Sequence, residues 1–312
     1  MAQKFILAGG SGFLGHALVP ELAHRGGEVV VLTRNPRDCH LLNDKFAGAR
    51  AVPWDGATLG PWATELDGAS AVINLAGRSV NCVPTAGNRR EILDSRLNAV
   101  RALGAAMAQC RCPPTVWGQC SAVGYYGNAG GGICDETAPA GRDYLAEVCR
   151  QLEDVFHALP LPATRKIVFR LGLVLGRNGG ALPALAGLTR RFLGGAAGNG
   201  RQGVSWIHLD DMKGALVQAV SDPAFRGVYN LCAPQPVTNA DLMKALRRAL
   251  GRPWCPPAPA FAVRLVARWV MRTNAELFLA GRQCVPRRLL EQGFMFKYPE
   301  LTAALHDLLT KG

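Results

Sequence analysis

A continuous apolar run at residues 4–8 breaks into Gly9-Gly10-Ser11-Gly12-Phe13-Leu14-Gly15, and apolar positions then recur at helical spacing from His16 to Ala23. The pattern predicts a strand, a glycine turn and a helix. Residues 28–32 are the next apolar run, 49–55 a weaker third and 69–75 a fourth. Between Arg89 and Met107, the positions Leu93, Leu97, Val100, Leu103, Gly104 and Met107 share one face of a helix. A fifth strand is predicted over 116–121, leading into a glycine-rich loop, and a helix over about 143–159. Residues 166–176 are apolar throughout except for Arg170, which predicts one long strand covered on both faces, as in a parallel sheet. Strand then helix returns at 205–211, where Asp210 or Asp211 is the expected helix cap. Residues 227–231 are the last core strand.

Strands alternating with helical segments predict an α/β fold, a Rossmann-type doubly wound parallel sheet. Residues 177–203 depart from that rhythm, being rich in glycine and arginine, with a helical piece at 182–192. Further on, Thr238 and Asp241 make a capping-box pattern that opens a helix ending at Gly251. A proline-rich linker at 253–259 leads to a second helix, on which Arg264, Arg268 and Arg272 run beside Phe261, Leu265 and Trp269. A helix lying on a membrane surface has that pattern, and so has a helix capping a small lobe, which is the reading preferred here. The expected division is 1–180 with 204–236 as the Rossmann domain, and 181–203 with 237–312 as a small, mainly helical substrate lobe.

The glycine turn carries the first chemistry. In a strand–turn–helix context, one glycine makes the tight turn, one lets the backbone approach a pyrophosphate, and one lets helix pack on strand. Amides at the helix start then face the phosphates, so Gly9 through Gly15 are candidate dinucleotide ligands. A binder of NAD usually places an acid about twenty residues further on, to hold the ribose hydroxyls. This chain instead has Thr33 and Arg34, followed by Arg37. A guanidinium grips the extra phosphate of NADP that a carboxylate would repel, so NADP(H) is the expected cofactor. Asp55, at the end of the third strand, is placed to meet the adenine. Asn74-Leu75-Ala76-Gly77 lets backbone pass close to the cofactor at the end of the fourth.

Two arginines stand on otherwise apolar surfaces. Arg96, within the stripe of the 89–107 helix, either snorkels to water or reaches into the cleft for a carboxylate or phosphate. Arg170, inside a buried strand, requires a partner.

Composition narrows the partners. The net charge is +12, with 28 arginines against 7 lysines, but the charges are scattered and match no nucleic-acid motif. A phosphate-bearing cofactor and an anionic substrate account for part of the excess. Ten cysteines are dispersed, only Cys110 and Cys112 being closely paired, so reduced thiols are expected rather than a disulfide framework or a zinc site. Nothing reads as a signal peptide or a membrane span, and a cytoplasmic location is expected. The expected partner is a small molecule, anionic or a nucleotide sugar, with no nucleic acid and no membrane; a homodimer is left open.

These motifs together resemble the extended short-chain dehydrogenase/reductase superfamily and, within it, the atypical SDR39U1-like group of epimerase-family proteins. The resemblance runs from Lys4 to about Leu309. It rests on the 9–15 glycine turn, Asn74-Leu75-Ala76-Gly77, Ile92-Leu93-Asp94-Ser95-Arg96, Ser121-Ala122-Val123-Gly124-Tyr125-Tyr126-Gly127, residues 170–176, Trp206-Ile207-His208, Val285-Pro286 to Gly293-Phe294, and Tyr298-Pro299-Glu300-Leu301. It implies about seven strands and a small C-terminal lobe over the cofactor. It also implies a serine, a tyrosine and a lysine four residues after the tyrosine as the proton relay.

Ser121 matches the serine and Tyr144 lies near the tyrosine's place, but the residue four further on is Val148. Moving the register by one gives Leu145 and Cys149, and no lysine occurs between Lys45 and Lys166. Arg96 stands where other members of the superfamily carry asparagine. The catalytic candidates are therefore Ser121, Tyr126 and Tyr144, with Tyr125 a further phenol and Arg96 or Arg170 supplying the positive charge. Two functions follow: an NADP(H)-dependent oxidoreductase or epimerase with a rebuilt relay, or an NADPH-binding redox sensor or cell-division-linked regulator without turnover.

Overall fold

Seven parallel strands form the central sheet of the computed structural model, which describes residues 3–35, 49–269 and 271–310. They are β1 (Lys4–Ala8), β2 (Glu28–Thr33), β3 (Ala49–Pro53), β4 (Ala71–Asn74), β5 (Val116–Ala122), β6 (Arg165–Leu171) and β7 (Gly227–Leu231). Their order is β3-β2-β1-β4-β5-β6-β7, every neighbouring pair being parallel. The order changes direction between β1 and β4, so the crossover on one side leads away from the crossover on the other. A crevice opens there at the carboxyl ends of the strands.

Each strand feeds two cores, because successive side chains leave the sheet on opposite faces. Phe5, Leu7, Val29 and Val31 pack with Leu18, Val19 and Leu22 of α1 (Phe13–Ala23). Ile6, Ala8, Val30 and Leu32 pack with Ala99, Val100, Leu103 and Met107 of α2 (Ala86–Met107), and with Leu152 and Phe156 of α3 (Tyr144–Ala158). Both faces are buried, which is why the strands read as unbroken apolar runs rather than alternating ones.

The predicted single strand at 166–176 is two strands in two sheets. The chain leaves the main sheet at Gly172, whose amide bonds Leu231 O, and Leu173–Gly176 pairs in parallel with Trp206–His208. A Cβ at Gly172 would lie 2.8 Å from Ser205 O, so only glycine allows the crossing between sheets. Between these strands comes α4 (Leu182–Arg190); α5 (Leu209–Ser221) follows the second of them and lies on the α1 face of the main sheet. The cap of α5 is not Asp210 or Asp211: His208 Nδ1 accepts from Asp210 N at 3.0 Å. Asp211 instead accepts from Lys297 N at 2.7 Å and Tyr298 N at 3.0 Å, tying the tail to α5.

The C-terminal part adds α6 (Asn239–Ala249), α7 (Ala260–Trp269) and α8 (Leu301–Thr310). Thr238 caps α6 in the expected box, Asp241 N donating to its hydroxyl at 3.1 Å. Leu242, Met243 and Leu246 of α6 meet Leu301, Leu305 and Leu308 of α8 over Leu175 and Trp206. On α7 only Ala267 is buried, while Phe261, Leu265 and Trp269 face outward. The tail then doubles back. Gln283–Cys284 pairs in parallel with Ile133–Cys134, and Leu289 and Phe294 enter the core on the α1 side of the sheet.

Candidate functional site

A cleft of about 750 Å³ lies at the switch point, lined by the glycine turn, the ends of β2 and β4 and the start of α2. Each glycine of the turn has a separate geometric reason. Gly9 has φ +74°, and a Cβ there would sit 2.7 Å from Ala76 Cα, so the chain turns sharply against the end of β4. A Cβ on Gly15 would lie 1.9 Å from Gly10 O, so α1 packs on the turn only with glycine there. Gly12, at the head of α1, has no atom nearer than 4.0 Å to its missing Cβ and lines the cleft. Space for a ligand to reach backbone is therefore kept at Gly12, and α1 has no acid in its first turn. Gly10 packs inward against Leu7 and Val31, while Phe13 packs against Gly176, Gly179 and Gly180, and Leu14 against the core. Of the turn, Gly9, Ser11 and Gly12 line the cleft.

At the end of β2, the Thr33 hydroxyl donates to Ser11 Oγ at 3.0 Å and accepts from Asn35 N at 3.3 Å, joining the second strand to the glycine turn. Arg34 lines the cleft and, among the described residues, makes no hydrogen bond or ion pair. Arg37 lies outside the described residues. Asp55 lines the cleft too, but its carboxylate caps its own turn, accepting from Ala57 N at 2.8 Å, Thr58 N at 2.9 Å and the Thr58 hydroxyl. Those bonds, the Thr58 hydroxyl first, hold it below the ordinary carboxylate range.

Across the cleft, Asn74 Oδ1 accepts from Ala76 N at 2.9 Å and Asn74 Nδ2 donates to Gln119 Oε1 on β5, which fixes the turn Leu75-Ala76-Gly77. Arg96 lies flat on that turn. A Cβ on Gly77 would come within 3.2 Å of its Cζ, and its Nη1 donates to Arg78 O and Ile92 O, each at 2.8 Å. Burial weakens its hold on the proton, with Cys149 and Tyr144 acting against that. Tyr144, half-buried at the start of α3, donates to Arg89 O at 2.7 Å and stacks under the Arg89 guanidinium. Burial pushes its phenol upward, and Arg96 and Arg89 pull the other way.

Ser121, Tyr126 and Arg170 come together elsewhere, under the end of β5. Ser121 Oγ donates to Glu153 Oε1 at 2.7 Å; Arg170 Nη2 bonds Glu153 Oε2 at 2.7 Å, and its Nη1 donates to Tyr126 Oη at 2.9 Å. The Tyr126 hydroxyl donates onward to Asn230 Oδ1 at 2.7 Å, and the Tyr125 ring covers the guanidinium at 3.3 Å. Burial raises the Tyr126 phenol far above its ordinary value, outweighing Arg170. The partner that Arg170 required is Glu153, on α3. The sequence reading did not single out Glu153, Cys149 or Asn230; an acid on the sheet-facing side of an amphipathic helix, opposite a buried arginine, was the available signal. Cys149, on the same helix, is buried, and burial with the Glu153 charge keeps its thiol protonated.

The parallel order, the switch-point cleft and the glycine turn define a Rossmann-type protein of the nucleotide-binding kind. The NAD dependent epimerase/dehydratase family profile matches residues 5–232, and the chain belongs to that family. A second profile, a domain of unknown function (DUF1731), matches residues 258–308. The epimerase family protein SDR39U1 of Bos taurus is 35% identical over 312 residues, covering 98% of this chain and 100% of that protein. The crystal structure of human epimerase family protein SDR39U1 (isoform 2) with NADPH superposes with a TM-score of 0.87 at 32% identity, covering 99% of this chain and 100% of that one. A nucleoside-diphosphate sugar epimerase from Corynebacterium glutamicum has a TM-score of 0.77 at 30% identity, covering 100% of this chain and 60% of that one.

Proposed function

We propose that this protein binds NADP(H) in the switch-point cleft and uses it as an oxidoreductase or epimerase acting on a small anionic substrate, a nucleotide sugar being one such class. The observation that carries the reading is the pairing of an open Gly12 at the head of α1 with Arg34, which has no partner among the described residues, on the same cleft. The turn would receive the pyrophosphate on free helix amides, and Arg34 the 2′-phosphate by a forked, charge-assisted contact. Gly77 and Ala76 would let the cofactor lie on backbone. A bound nicotinamide would supply hydride chemistry.

Proton transfer then falls to this chain's own groups. Tyr144 is the phenol that fits best, being half-buried and beside two guanidinium groups, Arg96 and Arg89. Ser121, Tyr126 and Arg170 are bonded among themselves through Glu153 under the end of β5. Without a lysine, a phenol with an unperturbed pKa of about 10 is a slow base at neutral pH, so oxidation of an alcohol should speed up toward alkaline pH, whereas reduction of a carbonyl by NADPH draws on the protonated phenol and should not. Screening carbonyl compounds and nucleotide sugars with the NADPH-loaded protein tests this. Tyr144→Phe should abolish turnover and leave NADPH affinity intact; turnover that survives the substitution contradicts the role.

One observation favours a second reading. Tyr126 and Tyr144 are both pushed upward by burial, and Ser121 is already bonded to Glu153. A protein that holds NADPH tightly and turns over none of the screened compounds would be a redox sensor or regulator rather than an enzyme.

A further inference from the structure

The helix α7 is inside out for a globular protein. Four residues advance a helix by little more than one turn, so Phe261, Leu265 and Trp269 form one row along it, and Arg264 and Arg268 form the row beside. An amphipathic helix that caps a lobe turns its large apolar row to the core. Here Phe261 is 74% and Trp269 70% exposed, and Leu265 and Val266 between them are exposed as well. The inward side is made of small residues: Ala267 is buried, and Ala262 and Val263 are half-buried. Capping the lobe, the reading the sequence pattern favours, therefore leaves the large side chains unexplained. Apolar side chains of that size, contiguous on one exposed face, mark a contact surface.

Charge says what covers that face. Between Asp241 and Glu276 the chain carries seven lysines and arginines and no acid, more than half of the net charge of +12. Arg264 meets Glu276 at 3.7 Å, while Arg268 and Arg272 are exposed and have no ion pair among the described residues. The Arg268 guanidinium lies 5.5 Å from the centre of the Trp269 ring, so cation and indole sit side by side. A second copy is a poor occupant: a two-fold contact sets the same patch against itself, and the arginine rows would face one another. An apolar row with Phe and Trp beside a cationic row is the arrangement that binds the surface of an anionic bilayer. The row enters the headgroup boundary while the cations meet lipid phosphates. At 10 residues α7 is far too short to span a bilayer, but its rows suit it to lie on one.

We propose that α7 docks this protein on the surface of a membrane rich in anionic phospholipid, with Phe261, Leu265 and Trp269 entering the interface and Arg268 and Arg272 meeting the headgroups. The docking helix leads directly to a loop of the cleft: just beyond Trp269, the Thr273 hydroxyl bonds Asn81, in the loop after Gly77. Docking would thus set that side of the cleft toward the bilayer. It requires neither bound cofactor nor turnover.

The test uses the full-length protein and two sets of extruded vesicles, phosphatidylcholine alone and phosphatidylcholine mixed equally with phosphatidylglycerol, in co-sedimentation at fixed ionic strength. The native protein should bind the mixed vesicles and not the neutral ones. Phe261→Ala with Trp269→Ala should weaken that binding at least about tenfold, through the loss of two inserted rings. Arg268→Gln with Arg272→Gln should weaken it roughly ten- to thirtyfold, through the loss of two cations at the headgroups. All four side chains are exposed, so both double variants should melt as the native protein does, which separates lost docking from lost folding. No binding to the mixed vesicles overturns the docking. Binding that survives both double substitutions also overturns it, since the charge of the whole chain would then suffice. A loss confined to the arginine variant does the same, because charge without insertion is mere adsorption. Dimerisation of the native protein in sedimentation velocity, abolished by Phe261→Ala with Trp269→Ala, would assign the face to a second copy. Binding to polyglutamate but not to the mixed vesicles would assign it to an acidic protein. Either of these results overturns membrane docking.

Discussion

Ser121 Oγ donates to Glu153 Oε1 at 2.7 Å, and both residues are buried. The bond turns the hydroxyl toward α3, and Ser121 does not line the cleft. Glu153 also holds Arg170, each with 5% of its side chain exposed, so one carboxylate neutralises the one fully buried charge of β6 and satisfies the serine. Burial opposes the Arg170 charge, but the bonds to Glu153 outweigh it and hold the guanidinium fully protonated.

Removing that carboxylate strands a buried cation. Glu153→Gln should destabilise the fold by about 3–5 kcal/mol, whereas Ser121→Ala, which loses a single hydroxyl, should cost about 1 kcal/mol. Urea unfolding of both variants measures the difference. Equal losses mean that the ion pair is not what holds β6 to α3.

The glycines of the turn should separate folding from binding. Gly15→Ala puts a methyl 1.9 Å from Gly10 O and should lower stability directly. Gly12→Ala meets nothing nearer than 4.0 Å in the protein and should fold normally, yet weaken NADPH at least about tenfold by occupying the space on the cleft. Thermal melts and NADPH titration of the two variants decide it. Normal cofactor affinity in Gly12→Ala would mean that the ligand does not approach that backbone.

His208 sets a pH dependence. It is buried, its Nδ1 caps α5, and burial holds its pKa below the ordinary imidazole value despite Asp210, Asp211 and Asp307 nearby, with Lys297 adding to the depression. Protonation would also remove the capping acceptor. Below the ordinary imidazole pKa of about 6.5, the unfolded chain takes up a proton that the folded one resists, so stability falls as pH drops through that range. His208→Asn keeps a capping acceptor without the titration. Unfolding free energy compared at pH 7.5 and 5.5 should show a smaller drop in the variant; an equal drop removes His208 from the account.

The tail should respond to the cofactor. The Thr273 hydroxyl bonds Asn81 in the loop after Gly77, and the segment at 281–284 is stitched to the loop after β5. Hydrogen exchange with and without NADPH should show added protection near 273–284 as well as in the glycine turn. Protection confined to the turn would mean that the tail does not close over the site.

How far the sequence carried the account follows from what is local and what is not. β1, the glycine turn and α1 were legible because each depends on neighbours within a few residues. The capping box at Thr238 was legible for the same reason. The break at Gly172 was not, since the reason for it is Ser205, on a strand that hydropathy cannot align with it. The cap of α5 was misread because Asp is the commoner capping residue, while the tail amides of Lys297 and Tyr298 compete for Asp211. Arg170 announced a partner without naming it, and Glu153 became visible only when α3 was laid on the sheet.

The central claim is that the cleft is built for the phosphate-bearing form of the cofactor, through Arg34. Calorimetric affinities for NADPH and NADH, in the native protein and in Arg34→Ala, test it most directly. The native protein should prefer NADPH, and the substitution should cost about 1.5–3 kcal/mol for NADPH and little for NADH. An equal loss for both, or a native preference for NADH, would contradict it.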